Sequence, residues 1–489
     1  MTTYDLVLRG GRVIDPHAGL DAVRDVGIDG DVVRAISTEA LEGREVLDAR
    51  GHVVAPGFID LHSHCYGIPG QRLQVLDGVT TALELEAGVH PVEVAYQQAA
   101  AEGRPMNYGF STCWAAARLH VLAGVETTGS IHDVIANMNV GEWQREADTR
   151  QLDRILAILE EDLAAGALGI GILVGYAPRI GPDEYVAVAR LAARHGVPTY
   201  THARDLVEQD PTTPIDGAEE IVRAAGETGA HMHYCHVNST SLRHVDRVHT
   251  VVERARSGGA TVTTEAYPYG TGMTGIGAAF LAPELLHRRD ITPYAIQHLA
   301  SGRRMADADE LNRMRASNPG DWVFVHLFEE DDPQARELLH RALLFPDTAV
   351  ASDGAEPVWR TTPRDPLLWP LPDDVVAHPR TAGTYGRTLR VLVRETRSLS
   401  LMEAIRRCSL VPAEIVTAAA PAMARKGRLE PGADADVVVF DPDTVTDRAT
   451  YDDTTRPTTG FRHVLVNGRP VVRDGELDVN QLPGRPVRA

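Results

Sequence analysis

Residues 4 to 55 read as short β segments. YDLVLRGGRVID, DVGIDGDVVRAIS and EVLDARGHVVAPG are apolar stretches interrupted by Gly, Asp and Pro, and such punctuation marks strands joined by turns. The texture returns at the far end, in ADADVVVFDPD (433–443) and GFRHVLVNGRPVVRDGEL (460–477). Two β-rich ends of like character predict one small sheet domain built from both termini.

The middle of the chain has another rhythm. Leu152, Ile155, Leu156, Leu159 and Leu163 recur at helical spacing, and the run then enters the Gly-flanked apolar stretch LGIGILVG. DEYVAVARLAARHG precedes VPTYTH, GAEEIVRAAGETG precedes AHMHYCHV, and VDRVHTVVERARSGG precedes ATVTTEAYPY. Repeated helix-then-strand units imply parallel strands with crossover helices. Eight strands are predicted, at 53–61, 78–86, 107–113, 167–174, 196–202, 230–236, 260–267 and 348–352. Eight parallel strands in about 300 residues point to a closed barrel. The predicted fold is α/β, a (β/α)8 TIM barrel with a small β-sandwich from both termini: 1–55 and 421–489 for the sandwich, 56–420 for the barrel. The gap from 268 to 347 is long for one crossover, which predicts a lid insertion around 270–345.

In such barrels the chemistry sits at the C-terminal strand ends. Here those ends carry His62 and His64, Glu84 and Glu86, His202, His236 and Asp353. Alternate strand residues share a face, so one strand offers two imidazoles, His62 and His64, to one ion. Neutral imidazole with carboxylate suits zinc, and also Mn2+ or Fe2+. Asp353, in AVASDGAEP, is placed to exchange a proton with a metal-activated water. His231 and His233 lie on the face opposite His236 and are expected to pack or hydrogen-bond outside; His326 is a weaker candidate. Arg380, Arg204, Tyr176, Tyr267 and Asn238 are candidates for holding a substrate carboxylate or carbonyl.

Charge and cysteine usage narrow the partners. The net charge of -20 over 489 residues argues against nucleic acid and against an anionic membrane surface. No apolar run is long enough to span a bilayer. Four cysteines without a CxxC pair suggest neither a zinc knuckle nor a disulfide scaffold. A cytoplasmic enzyme with a small-molecule substrate is expected, with a homo-oligomer possible.

The motifs together resemble a family. PGFIDLHSH, GVTT, the strand-end His202 and His236, SDG at 352–354, and the terminal LVLRGGRVIDP, GRLEPGADADVVVFDP and HVLVNGRPVV are similar to the amidohydrolase superfamily over nearly the whole chain. Within it, GALGIGILVGYAP, YPYGTG and HPRTAGTYGR look most like N-acyl-D-amino-acid deacylases (D-aminoacylases). The resemblance implies one or two metal ions: His62 and His64 would hold one position with Asp353, and His202 and His236 the other. Asp353 would serve as general base and then acid, and His236 would help polarise the scissile carbonyl. Ala87 stands where D-aminoacylases place a ligand cysteine, and the fourth strand has no lysine for a carboxylated bridge; Glu86, or Glu84, is the substitute at hand. Asn238 replaces a lysine that relatives use for the substrate carboxylate. The implied activity is hydrolysis of an amide C–N bond in an N-acyl-D-amino acid or related N-acyl compound. Its rivals are a cyclic-amide hydrolase, a deaminase and, more remotely, a non-catalytic binding barrel.

Overall fold

The computed structural model describes residues 3–361, 365 and 367–489. The chain divides into two compact units. One comprises Met1–Leu83, Ala99–Tyr108 and Ala349–Val487; the other comprises Glu84–Gln98, Gly109–Thr348 and Arg488–Ala489.

The first unit contains the sheet made from both ends of the chain. Strand Thr3–Asp15 pairs antiparallel with Leu20–Asp29 and parallel with Glu42–Asp48 and Val53–Pro56. Val53–Pro56 then pairs antiparallel with Val437–Phe440, which leads on to Phe461–Val466 and Arg469–Arg473. Leu8, Val13, Val26, Val54, Val437 and Leu465 are fully buried or nearly so and form its core. The alternation read in the sequence is the alternation of this buried face.

Eight strands form the parallel, nearly closed barrel sheet. In chain order they are Phe58–Asp60, Val79–Val89, Asn107–Cys113, Ile170–Ile172, Thr199–Thr201, Met232–Tyr234, Val262–Ala266 and Thr348–Val350. One expected strand is corrected. Residues 53–61 do not run as a single strand: Val53–Pro56 belongs to the terminal sheet, and the barrel strand begins only at Phe58. Backbone bonding makes the switch, because Gly57 N–H donates to Asp436 O (2.8 Å) and Phe58 N–H to Gly78 O (3.1 Å). Several other strands are shorter than their apolar runs. In the fourth, Val174–Tyr176 has already turned into a 3-10 helix.

Side chains join the first strand to the last. Asp60 Oδ1 accepts the Ser352 N–H at 2.9 Å, and Asp60 Oδ2 also accepts the Ser352 hydroxyl and the Gln74 side-chain amide (2.8 Å). The Tyr385 hydroxyl donates to Ile59 O at 3.3 Å.

Several helices of the second unit start on acidic caps. Asp148 and Gln151 form a reciprocal capping box before Thr149–Ala164, whose Ile155, Leu159 and Leu163 are buried. Asp216 accepts the N–H groups of Ala218 and Glu219 at the head of Gly217–Thr228. Between the seventh and eighth barrel strands, Thr271–Gly275, Ile296–His298 and Trp322–His326 form a three-stranded antiparallel sheet. Among the described residues no helix is long and apolar enough to cross a membrane.

Candidate metal sites

In the first unit, His62 Nε2 and His64 Nε2 are 3.1 Å apart. Asp353 Oδ1 lies 3.4 Å from the first and 3.5 Å from the second. A two-residue parallel ladder sets the spacing, pairing Ser63 with Gly354 and His64 with Ala355. Asp60 braces it from below, accepting the His62 N–H (3.2 Å) beside its bonds to Ser352. Burial pushes the Asp60 carboxyl up to about 6, against the pull of the Ser352 bonds. Arg380, at the head of helix Pro379–Thr388, places Nη2 2.9 Å from Asp353 Oδ1. Asp353 itself has φ +49°, in the left-handed region that a non-glycine residue enters rarely and mostly at functional or strained sites.

In the second unit, one oxygen of Glu86 lies between two imidazoles. Oε1 is 2.8 Å from His202 Nδ1 and 2.7 Å from His236 Nε2, and the three ligand atoms fall within 4.8 Å of one another. The neighbouring strand leaves no room for bulk here. A Cβ on Gly171 would stand 2.4 Å from Glu86 O, and one on Gly175 would stand 2.5 Å from the His202 ring. The Gly-rich GIGILVG run is what lets Glu86 and His202 approach their neighbours. His236 has φ +30° and heads the short helix Val237–Ser241, while its N–H points to Glu265 Oε1 at 3.3 Å. Tyr176 packs its ring 4.6 Å from His202, and Phe280 lies nearly parallel to the same imidazole at 6.2 Å.

Several predicted residues have other work. Arg204 does not offer its guanidinium to a ligand: Nε and Nη2 bond both oxygens of Glu220 (2.7 and 3.0 Å), and Nη1 donates to Pro178 O at 2.8 Å. Arg380 is turned onto Asp353. Asn238 accepts the Tyr267 N–H through Oδ1 (3.3 Å), fixing the end of the seventh strand. Tyr267 is buried, 6.4 Å from the His236 ring, and the Tyr176 hydroxyl meets Thr274 Oγ1 at 3.0 Å. Glu84 accepts the Gly88 N–H (3.3 Å), so of the two glutamates it is Glu86 that meets the histidines. His233 is not on the outside. It is fully buried, with Nε2 3.1 Å from Glu265 Oε2, and it shares Thr263 Oγ1 with His231. His326 bonds Thr271 and Gln297 within the antiparallel sheet, and burial pushes its pKa down to about 4.

Sequence reasoning missed Asp60, Ser352, Glu265 and Phe280. Asp60 and Glu265 carried a readable signal, a carboxylate inside an apolar strand run.

A protein-family model described as "Amidohydrolase family" matches residues 45–472. The chain belongs to the amidohydrolase family. This amidohydrolase is 29% identical to an N-acyl-D-glutamate deacylase of Alcaligenes xylosoxydans xylosoxydans over 512 residues, covering 99% of this chain and 96% of that protein. A D-aminoacylase of the same organism is also 29% identical, over 96% of this chain and 94% of its own length. Among solved structures, the N-acyl-D-glutamate deacylase from Bordetella bronchiseptica, complexed with zinc and a phosphonate mimic of the tetrahedral intermediate, superposes with a TM-score of 0.77. It has 25% sequence identity and covers 100% of both chains.

The residues of this amidohydrolase fit a divalent cation. Two ring nitrogens 3.1 Å apart that both face one carboxylate oxygen make a donor set of the kind zinc takes. The same holds for one carboxylate oxygen between two imidazoles in the second unit. Nitrogen and oxygen donors without thiolate also accept Mn2+ or Fe2+.

Proposed function

We propose that this chain hydrolyses the amide bond of N-acyl-D-amino acids, with zinc held by His62, His64 and Asp353 at one position and by Glu86, His202 and His236 at the other. The observation that carries the reading is the paired donor geometry: each unit presents two imidazoles and one carboxylate at barrel strand ends. Similarity along nearly the full length to deacylases of N-acyl-D-amino acids supports the choice of substrate.

Bound zinc supplies Lewis acidity, lowering the pKa of a coordinated water to about 7 and polarising the scissile carbonyl. The rest is done by the chain's own side chains. Asp353 takes the proton of the attacking water and hands it to the leaving nitrogen. Arg380 holds the Asp353 carboxylate aimed by a charged hydrogen bond. Asp60 and Ser352 hold the backbone on either side of His62 and Asp353. Tyr176 and Phe280 fix the plane of the His202 ring. The four cysteines are buried thiols, which fits a reducing compartment, and a cytoplasmic location is part of the reading.

The test is a substrate panel with zinc-loaded protein: N-acetyl-D-glutamate, N-acetyl-D-aspartate, N-acetyl-D-leucine, their L-enantiomers, allantoin and hydantoin. Turnover of at least one acetylated D-amino acid above its L-form is expected. Turnover of the rings alone overturns the reading in favour of a cyclic-amide hydrolase, a class represented by the 27% identity to an allantoinase of Rubrobacter xylanophilus over 63% of this chain.

A further inference from the structure

Three residues after Asp353 stands a carboxylate with no part in the chemistry above. Glu356 reaches back to the loop that follows His64, where Oε2 accepts the Gly67 N–H at 3.1 Å and Oε1 the Gly70 N–H at 3.4 Å. Gly67 and Gly70 flank the start of helix Ile68–Leu76, so these N–H groups have no partner within the helix. The fit is close. A Cβ on Gly67 would lie 2.8 Å from a Glu356 oxygen, and one on Gly70 would lie 3.0 Å from the other. The same loop is gripped from a second direction. Arg104, itself buried, donates through Nε to Tyr66 O at 2.7 Å.

The Asp353 side of the connection is equally anchored. Ala355 N–H donates to Thr381 Oγ1 at 3.0 Å, and Thr381 Oγ1 is also 3.0 Å from Ala355 O. Thr381 sits one residue beyond Arg380, the partner of Asp353. Among the described residues, the strand pairing that joins the His64 loop to the Asp353 loop is the two-residue ladder. So short a ladder cannot fix two loops by itself, because each adds few bonds against the entropy of the loops.

We propose that Glu356 is a positioning residue that ties the loop after His64 to the loop after Asp353 and thereby sets the spacing of the His62–His64–Asp353 metal position. The inference rests on the deacylase reading for the word metal, but the clamp has its own observable. Removing Glu356 frees two amides and lets His64 drift from Asp353, so one metal position weakens while the Glu86–His202–His236 position is untouched.

The experiment compares the full-length parent with Glu356→Ala and Glu356→Gln. Zinc affinity is measured by chelator competition, and the Co2+-substituted proteins are compared by absorption spectrum. In Glu356→Ala one of two zinc positions weakens at least tenfold, kcat falls at least tenfold and KM stays within twofold. Glu356→Gln, which keeps one acceptor oxygen, falls between the two and covers the case in which the alanine variant fails to fold. Amide hydrogen exchange at both Gly67 and Gly70 accelerates at least tenfold in Glu356→Ala, and at one or other of them in Glu356→Gln. Unchanged exchange at those amides overturns the clamp even if the parent binds no metal and the deacylase reading has failed. Equal weakening of both zinc positions, or parent-like zinc affinity and kcat, also overturns it.

Discussion

Arg380 Nη2 stands 2.9 Å from Asp353 Oδ1, and both side chains are buried. Burying a carboxylate is costly unless it is paired and hydrogen-bonded, as this contact provides. In Arg380→Met the carboxylate loses its charged partner and its aim, so kcat drops by roughly 100-fold. Arg380→Lys restores the charge without the planar fork and recovers part of the loss. Asp353→Asn, which cannot carry the proton, loses on the order of 1,000-fold in kcat. Steady-state kinetics on the best substrate of the panel check all three.

Glu86 is the carboxylate between His202 and His236. Glu86→Ala leaves two imidazoles and no anion, and the zinc content of purified protein falls by about one ion per chain if both positions fill, with affinity at that position reduced at least tenfold. Elemental analysis of protein prepared without chelator decides it. Unchanged zinc content removes Glu86 from the ligand set.

The site histidines were legible because a strand turns every second side chain to one face and barrel chemistry gathers where strands end. LHSH, His202, His236 and Asp353 need nothing more than that. Arg204 shows the limit. Its charge was visible, but the helix Gly217–Thr228 brings Glu220 onto it, and that pairing depends on how helix and strand pack. The pairing of Asp60 with Ser352 was hidden for the same reason: the Asp60 carboxylate shows in the sequence, but its partner lies 292 positions away. The break of the first strand at Gly57 was hidden too. VVAPGFI is apolar throughout, and periodicity cannot tell which half joins which sheet.

Gly171 and Gly175 carry no chemistry, yet neither tolerates a methyl group. Backbone or ring atoms lie within 2.5 Å of where each Cβ would go. Gly171→Ala and Gly175→Ala each cost about 2 kcal/mol or more, because the neighbours are packed backbone and the His202 ring. Thermal unfolding of metal-free protein registers the cost. Gly175→Ala also lowers zinc affinity by displacing His202.

Buried carboxyls give the fold a characteristic pH response. Burial pushes Asp77 up to about 7, against bonds from the Thr458 hydroxyl and the N–H groups of Tyr385 and Gly386, and it pushes Glu356 up to about 7 as well. In the unfolded chain such groups titrate near 4. The folded state therefore holds these protons more tightly, and the stability they contribute is present below about pH 4 and lost as pH rises through 7. His231, His326 and His463, each pushed down to about 4 by burial, act with the opposite sign, but only below about pH 6.5. Between pH 6.5 and 8 the carboxyls govern. The metal-free Tm falls across that interval, by roughly 2 °C or more. In Asp77→Asn the slope flattens.

The seam between Asp60 and Ser352 also bears on how the molecule is made. During synthesis the segment carrying His62 and His64 is complete some 290 residues before the one carrying Asp353. Until then the Asp60 carboxylate has none of its Ser352 donors and every reason to stay hydrated. Bringing its two partners together closes a loop of about 290 residues, a long-range contact of the kind that slows folding. The His62–His64–Asp353 cluster thus cannot assemble until more than two thirds of the chain has been made. A ribosome-bound fragment ending before Ser352 has the two histidines but no third donor, so zinc capture at that position reports that the barrel seam has closed.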